Sequence, residues 1–133
     1  MNEFIVWDDT RKKFVDLREV YYDSFGNIEE IVLSCENEPT TSVLTFHDDI
    51  GIKDINNKKI YADCSIVEFK HINTYGCSST RQGYFTFDND LCCYIIKCIN
   101  EDLILIYACS VFSAITDIKI IDTIQENKLG LIK

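Results

Sequence analysis

A chain of 133 residues is long enough for one hydrophobic core and too short for two ordinary ones. A hydrophobic fraction of 47%, with 8 Phe, 7 Tyr and 1 Trp, excludes intrinsic disorder, because burying that much apolar surface offsets the entropy of ordering the chain. The net charge of -9 argues against general nucleic-acid binding, since such a field repels a phosphate backbone.

In chain order the pattern is that of strands separated by turns. Phe4 to Trp7 is short and apolar, and Asp8 to Lys13 reads as a turn into Phe14 to Leu17. Val20 to Tyr22 leads into Asp23-Ser24-Phe25-Gly26-Asn27, a hairpin signal. Ile28 to Cys35 follows as a strand or one short helix, because Ile28, Ile31, Val32 and Cys35 also fit a helical face. Glu36 to Ser42, with the single proline, is a loop and the boundary between an N-terminal arm, 1–42, and a β core, 43–133, of one domain. Val43 to Phe46 is a strand with a turn at Asp48 and Asp49, and Asp54-Ile55-Asn56-Asn57 is a turn before Lys58 to Tyr61. Ser65 to Lys70 alternates as a strand. The polar segment His71 to Gly83 reads as a surface loop. Tyr84 to Phe87, Leu91 to Ile99, Leu103 to Phe112 and Asp117 to Ile124 complete the strands, and Gln125 to Lys133 is a tail.

The segment Leu91 to Ile99 is apolar at both parities, so both of its faces require cover. The expected fold is therefore mainly β, a small antiparallel barrel or pseudo-barrel, or a sheet packed against a second copy of the chain. The opening Met1-Asn2-Glu3 and the short apolar run after it do not form a targeting signal, and the bacterial cytoplasm is the expected location. The longest apolar run, Leu103 to Ile115, is interrupted by Ser110 and Ser113 and falls short of the roughly 20 residues of a membrane span.

Three stretches together resemble the YopX family of small phage and prophage proteins. The first is Phe4, Val6, Trp7 and Asp8 followed by Lys13; the second is Gly51-Ile52-Lys53-Asp54, Asn56, Lys58, Ile60-Tyr61 and Ser65-Ile66-Val67. The third is Ile118, Ile120, Ile121, Ile124, Glu126, Asn127 and Leu131. Asn57 stands where the family usually has Gly, Ala62-Asp63-Cys64 replaces its Glu-Gly-Asp, and Gln125 and Lys128 replace a Tyr and a Pro. The resemblance implies a mostly β, self-associating protein of phage or prophage origin and no established activity. In physical terms Asp54 and Asn56 suit a turn, because their side chains bond back to the backbone, and Asn57 tolerates left-handed geometry.

No catalytic, cofactor or metal site is expected. The seven cysteines contain no CxxC and are joined by only two histidines, so they read as thiols and small core residues rather than as a zinc set. Cys77 with His71, and His47 with Asp48 and Asp49, are the only pairings that hint at chemistry, and both read more simply as polar turns. Asp54, Asn56 and Lys58 lack the Gly and terminal Glu of a calcium loop. Phosphate loops, nucleophile elbows and dinucleotide fingerprints are not found.

Charge is the remaining signal. Between Asp16 and Ile52 nine acids (Asp16, Glu19, Asp23, Glu29, Glu30, Glu36, Glu38, Asp48, Asp49) face one base, Arg18. With Tyr21, Tyr22 and Phe25 as anchors, this segment is the expected contact surface for a host defence protein with a basic face, and the chain is expected to be a non-enzymatic, anti-CRISPR-like inhibitor. The alternative is an oligomeric sponge for a small nucleotide signal, with Arg11, Lys12, Lys13, Lys53 and Arg81 as the candidate anion-binding set. A self-assembling phage accessory protein is the third reading.

Overall fold

The structure, a computed structural model, describes residues 4–107 and 114–133. Eleven strands account for its regular structure, and no helix occurs among the described residues. The mainly β expectation is met by antiparallel sheets, one of them curled into a half-barrel. The chain divides into two compact units, Met1–His47 and Asp48–Lys133.

In the first unit β1 (Phe4–Asp8) pairs antiparallel with β2 (Lys13–Val15), with Trp7 opposite Phe14 and their rings edge to face at 4.8 Å. On its other side β1 neighbours the start of β5 (Leu44–Lys53). A separate two-stranded hairpin is formed by β3 (Leu17–Tyr22) and β4 (Ile28–Leu33). The helical alternative for residues 28–35 is thereby overturned. The turn before it pins Ile28 opposite Tyr22, and the adjacent residues Val32 and Leu33 are both buried at the hairpin's base.

In the second unit the later part of β5 pairs with β6 (Lys59–Tyr61) through Asp49↔Tyr61 and Lys53↔Lys59. The turn expected at Asp48 and Asp49 is absent: the strand runs through both, because acids sit comfortably on the wetted positions of a strand. The half-barrel has the order β10-β9-β8-β7-β11, built from β7 (Ser65–Ile72), β8 (Ser78–Asp88), β9 (Cys93–Cys98), β10 (Ile104–Ile106) and β11 (Ala114–Thr123). Val67, Phe69, Phe85, Ile96, Cys98 and Leu105 on its concave face close over Ile60 and Ile118 to make the core. The loop expected over 71–83 is a correction as well. Most of it is strand, with β8 paired residue for residue to β7 from Ile66↔Tyr84 to Ile72↔Ser78. Part of the expected strand Leu103 to Phe112 lies outside the described residues, and β10 is its described portion.

Three hairpins share one turn device. Asp23, Asp54 and Asn73 each use a side-chain oxygen to accept the backbone N–H groups two and four residues ahead, at 2.9–3.0 Å. The fourth residue of each turn, Gly26, Asn57 or Gly76, adopts φ of 84°, 63° or 79°, a left-handed conformation that Gly and Asn tolerate best. The five-residue turn so formed explains how polar residues at 73–77 connect two long strands without a loop.

Candidate partner-binding surface

The β3–β4 hairpin carries most of the sequence-predicted contact residues. Bulges shift its register twice, giving the cross-strand pairs Glu19↔Val32, Val20↔Ile31, Tyr21↔Glu30 and Tyr22↔Ile28. Directly opposite residues share a face, and alternate residues along a strand take opposite faces. One face therefore presents Val20, Ile31, Tyr22 and Ile28, and the other Glu19, Tyr21 and Glu30. Toward the turn both faces meet solvent: Tyr21 is 48% exposed, Tyr22 61%, Phe25 88% and Ile28 48%. Four large apolar side chains are thus exposed on one small hairpin, Tyr21 on the face opposite Tyr22 and Ile28, and Phe25 in the turn.

The nine acids divide by role. Asp23 nucleates the hairpin turn, and backbone N–H groups of Asn27 and Phe25 hold its carboxyl below the usual carboxylate range. Glu36 is ion-paired with Arg11, and Asp49 with Lys59 at 3.7 Å. Asp16, Glu19, Glu29, Glu30, Glu38 and Asp48 are exposed. Asp48 and Asp49 belong to the second unit, and the other seven to the first. The Tyr21 hydroxyl donates to Glu19, and that hydrogen bond, reinforced by the charge of Glu19, pushes the phenol above its ordinary pKa. Arg18, the lone base of the segment, is engaged locally: it donates to Ser34 O at 2.7 Å and to Asn37 Oδ1 at 2.9 Å, tying β3 to the turn after β4.

Three of the candidate anion-binding cations, Arg11, Lys53 and Arg81, lie beside carboxylates. Arg11 contacts Asp8 and Glu36, while Lys12 and Lys13 are exposed near it in the first unit. In the second unit Arg81 pairs with Glu101, and Lys53 borders a hollow of about 220 Å³ whose wall includes Asp54 and Asp117.

The pairing of Cys77 with His71 is not assembled. Cys77 is exposed in the β7–β8 turn, whereas His71 is buried and its Nδ1 accepts from Arg81 Nε at 3.2 Å. That bond leaves the proton on Nε2, which has no hydrogen-bond partner among the described residues. Burial, helped by the Arg81 charge and opposed by Glu101, lowers the pKa of His71. Sequence reading missed this His71–Arg81–Glu101 chain, because it depends on the cross-strand register of a segment read as a loop. Among the described residues no group of three or more His, Cys, Asp or Glu side chains is placed to hold a metal ion, and His47 is buried at the end of the first unit. No described helix is long and apolar enough to cross a membrane.

The structural meaning of the central motif is clear from its bonds. Asp54 Oδ1 accepts from Asn56 and Lys58, and Oδ2 accepts from Ile120 N at 3.0 Å, so one carboxylate both shapes the β5–β6 turn and ties it to β11. Ile55 N adds a bond to Ile118 O at 2.8 Å. Comparison with known protein families, curated proteins and solved structures finds no match.

Proposed function

We propose that this chain is a non-enzymatic binding protein that docks the β3–β4 hairpin onto a basic protein surface. The observation that carries the reading is the exposure of Tyr21, Tyr22, Phe25 and Ile28 among Glu19, Glu29 and Glu30 on a single two-stranded element. Aromatic anchors supply contact area at low entropic cost, and surrounding carboxylates steer and orient a positively charged partner. The resemblance to the YopX family adds a phage or prophage context. In that context the target class is a host defence protein with a nucleic-acid channel, and the hairpin acts as an anti-CRISPR-like plug in the bacterial cytoplasm.

The test is capture of a nucleic-acid-binding protein from bacterial lysate, followed by competition between this chain and the target's nucleic acid. Wild-type protein is expected to displace the nucleic acid. The triple reversal Glu19→Lys, Glu29→Lys, Glu30→Lys and the double truncation Tyr22→Ala, Phe25→Ala are each expected to weaken displacement at least tenfold. Displacement that both variants leave intact would refute the hairpin as the contact surface.

A further inference from the structure

Beside the hairpin, within the first unit, lies a groove of about 260 Å³ whose apolar lining comes from Ile28 and Ile31 of β4 and from Leu44 and Phe46 at the start of β5. Ile28 is 48% exposed and Phe46 38%, so this lining meets water, and the Phe46 ring is braced edge to face by Phe4 at 5.3 Å. Glu29 and Glu30 also line the groove. Both are exposed, and among the described residues neither is ion-paired, whereas Glu36 already holds Arg11.

Small volume, apolar walls and two carboxylates without a cation together select the class of occupant. Sites for whole small molecules run to roughly 300–1,000 Å³, so this groove suits a single side chain better than a metabolite. An anion is repelled by the carboxylates, and an aliphatic side chain leaves them unused. A long cationic side chain satisfies both features, laying its methylene stem on apolar surface while its charged head reaches the acids. Arginine fits better than lysine, because its guanidinium is the more weakly hydrated, presents a planar fork of donors to carboxylates and stacks on aromatic rings. We infer that the groove receives one arginine side chain of the basic partner, with its stem along Ile28, Ile31 and Leu44 and its guanidinium between Phe46 and the carboxylates of Glu29 and Glu30. The inference rests on the hairpin reading and deepens it: the charge of the hairpin draws a cationic face near, and the groove selects a protruding arginine within that face.

The test is an NMR titration of the full chain, read at the methyl groups of Ile28, Ile31 and Leu44, with three probes: acetyl-arginine amide, acetyl-citrulline amide, which keeps the stem without the charge, and methylguanidinium, which keeps the charge without the stem. The arginine probe is expected to shift these methyl signals saturably. The citrulline probe is expected to bind roughly tenfold more weakly for want of charged hydrogen bonds. Methylguanidinium is expected to bind roughly tenfold more weakly for want of methylenes to bury. The conservative double variant Glu29→Gln, Glu30→Gln is expected to lower affinity for the arginine probe about fivefold. Methyl signals that the arginine probe does not move, equal affinity for either truncated probe, or affinity unchanged in the double variant would each overturn the arginine site. If displacement of nucleic acid by the hairpin still depends on Glu19, Glu29 and Glu30 in that event, the docking surface stands and only the groove's role falls.

Discussion

Removing the Asp54 carboxylate tests whether the central motif is a structural clamp. Its three acceptor bonds differ in worth. Those from Asn56 and Lys58 close a turn at the surface, where water replaces the carboxylate in a variant, and each contributes about 0.5–1 kcal/mol. The third, from Ile120 N to a side chain only 6% exposed, leaves a strand N–H without its acceptor, at a cost of about 1–3 kcal/mol. Asp54→Ala is therefore expected to lose about 3 kcal/mol, which for a chain of this size lowers the melting temperature by roughly 10 °C. Asp54→Asn keeps a neutral acceptor and is expected to lose about half as much. Burial pushes the Asp54 carboxyl up, but the N–H groups of Ile120, Lys58 and Asn56 outweigh it and hold the group below its ordinary value. Because the folded pKa lies below the unfolded one, this stabilisation is complete above about pH 4 and disappears as the pH falls through the folded value. Urea titrations of wild type and Asp54→Ala at pH 7 and pH 3 measure both effects. A deficit under about 1 kcal/mol at pH 7, or one that does not shrink in acid, would refute the clamp.

Gly83→Ala places a Cβ 2.6 Å from Lys97 O and 2.8 Å from Ile96 Cγ2, so β8 and β9 must separate; a loss of about 1–3 kcal/mol is expected in thermal unfolding. Burial pushes the Cys64 thiol up to about 12, so brief iodoacetamide treatment at pH 8, read by peptide mass mapping, is expected to label exposed Cys35, Cys77 and Cys92 and to spare Cys64 until denaturant is added. The His71 pKa is lowered by burial and by Arg81, so the stability that its neutral form contributes is present above about pH 6.5 and is lost as the pH falls through the folded value. A proton NMR titration of its ring is expected to give a midpoint below that of free histidine, and Arg81→Gln is expected to raise it.

The strands most legible in the sequence are those whose alternation or apolar density reports burial directly, such as Ser65–Lys70 and Cys93–Cys98. Polar strands were not legible: Ser78 to Gln82 carries no apolar side chain, and its strand character comes from pairing with β7. Asp48 and Asp49 misled for a related reason, since acids mark a turn in isolation yet occupy wetted strand positions here. Of the contact surface, the acid and aromatic content of residues 16–38 could be read, but not which carboxylates would be engaged. Asp23 was identifiable in principle, because an Asp or Asn three residues before Gly or Asn recurs at Asp54 and Asn73.

Among the described residues the half-barrel ends at β10, a three-residue strand whose Ile104 and Ile106 are 57% and 41% exposed. Natural sheets commonly guard such a rim with lysine or proline, and neither occurs between Leu103 and Tyr107. Colloidal protection then falls to mutual repulsion between molecules of charge -9, whose reach shrinks to about 8 Å at physiological ionic strength. Added salt thus removes the repulsion that keeps copies apart, and under the proposed docking it also weakens the attraction between the hairpin and a cationic partner.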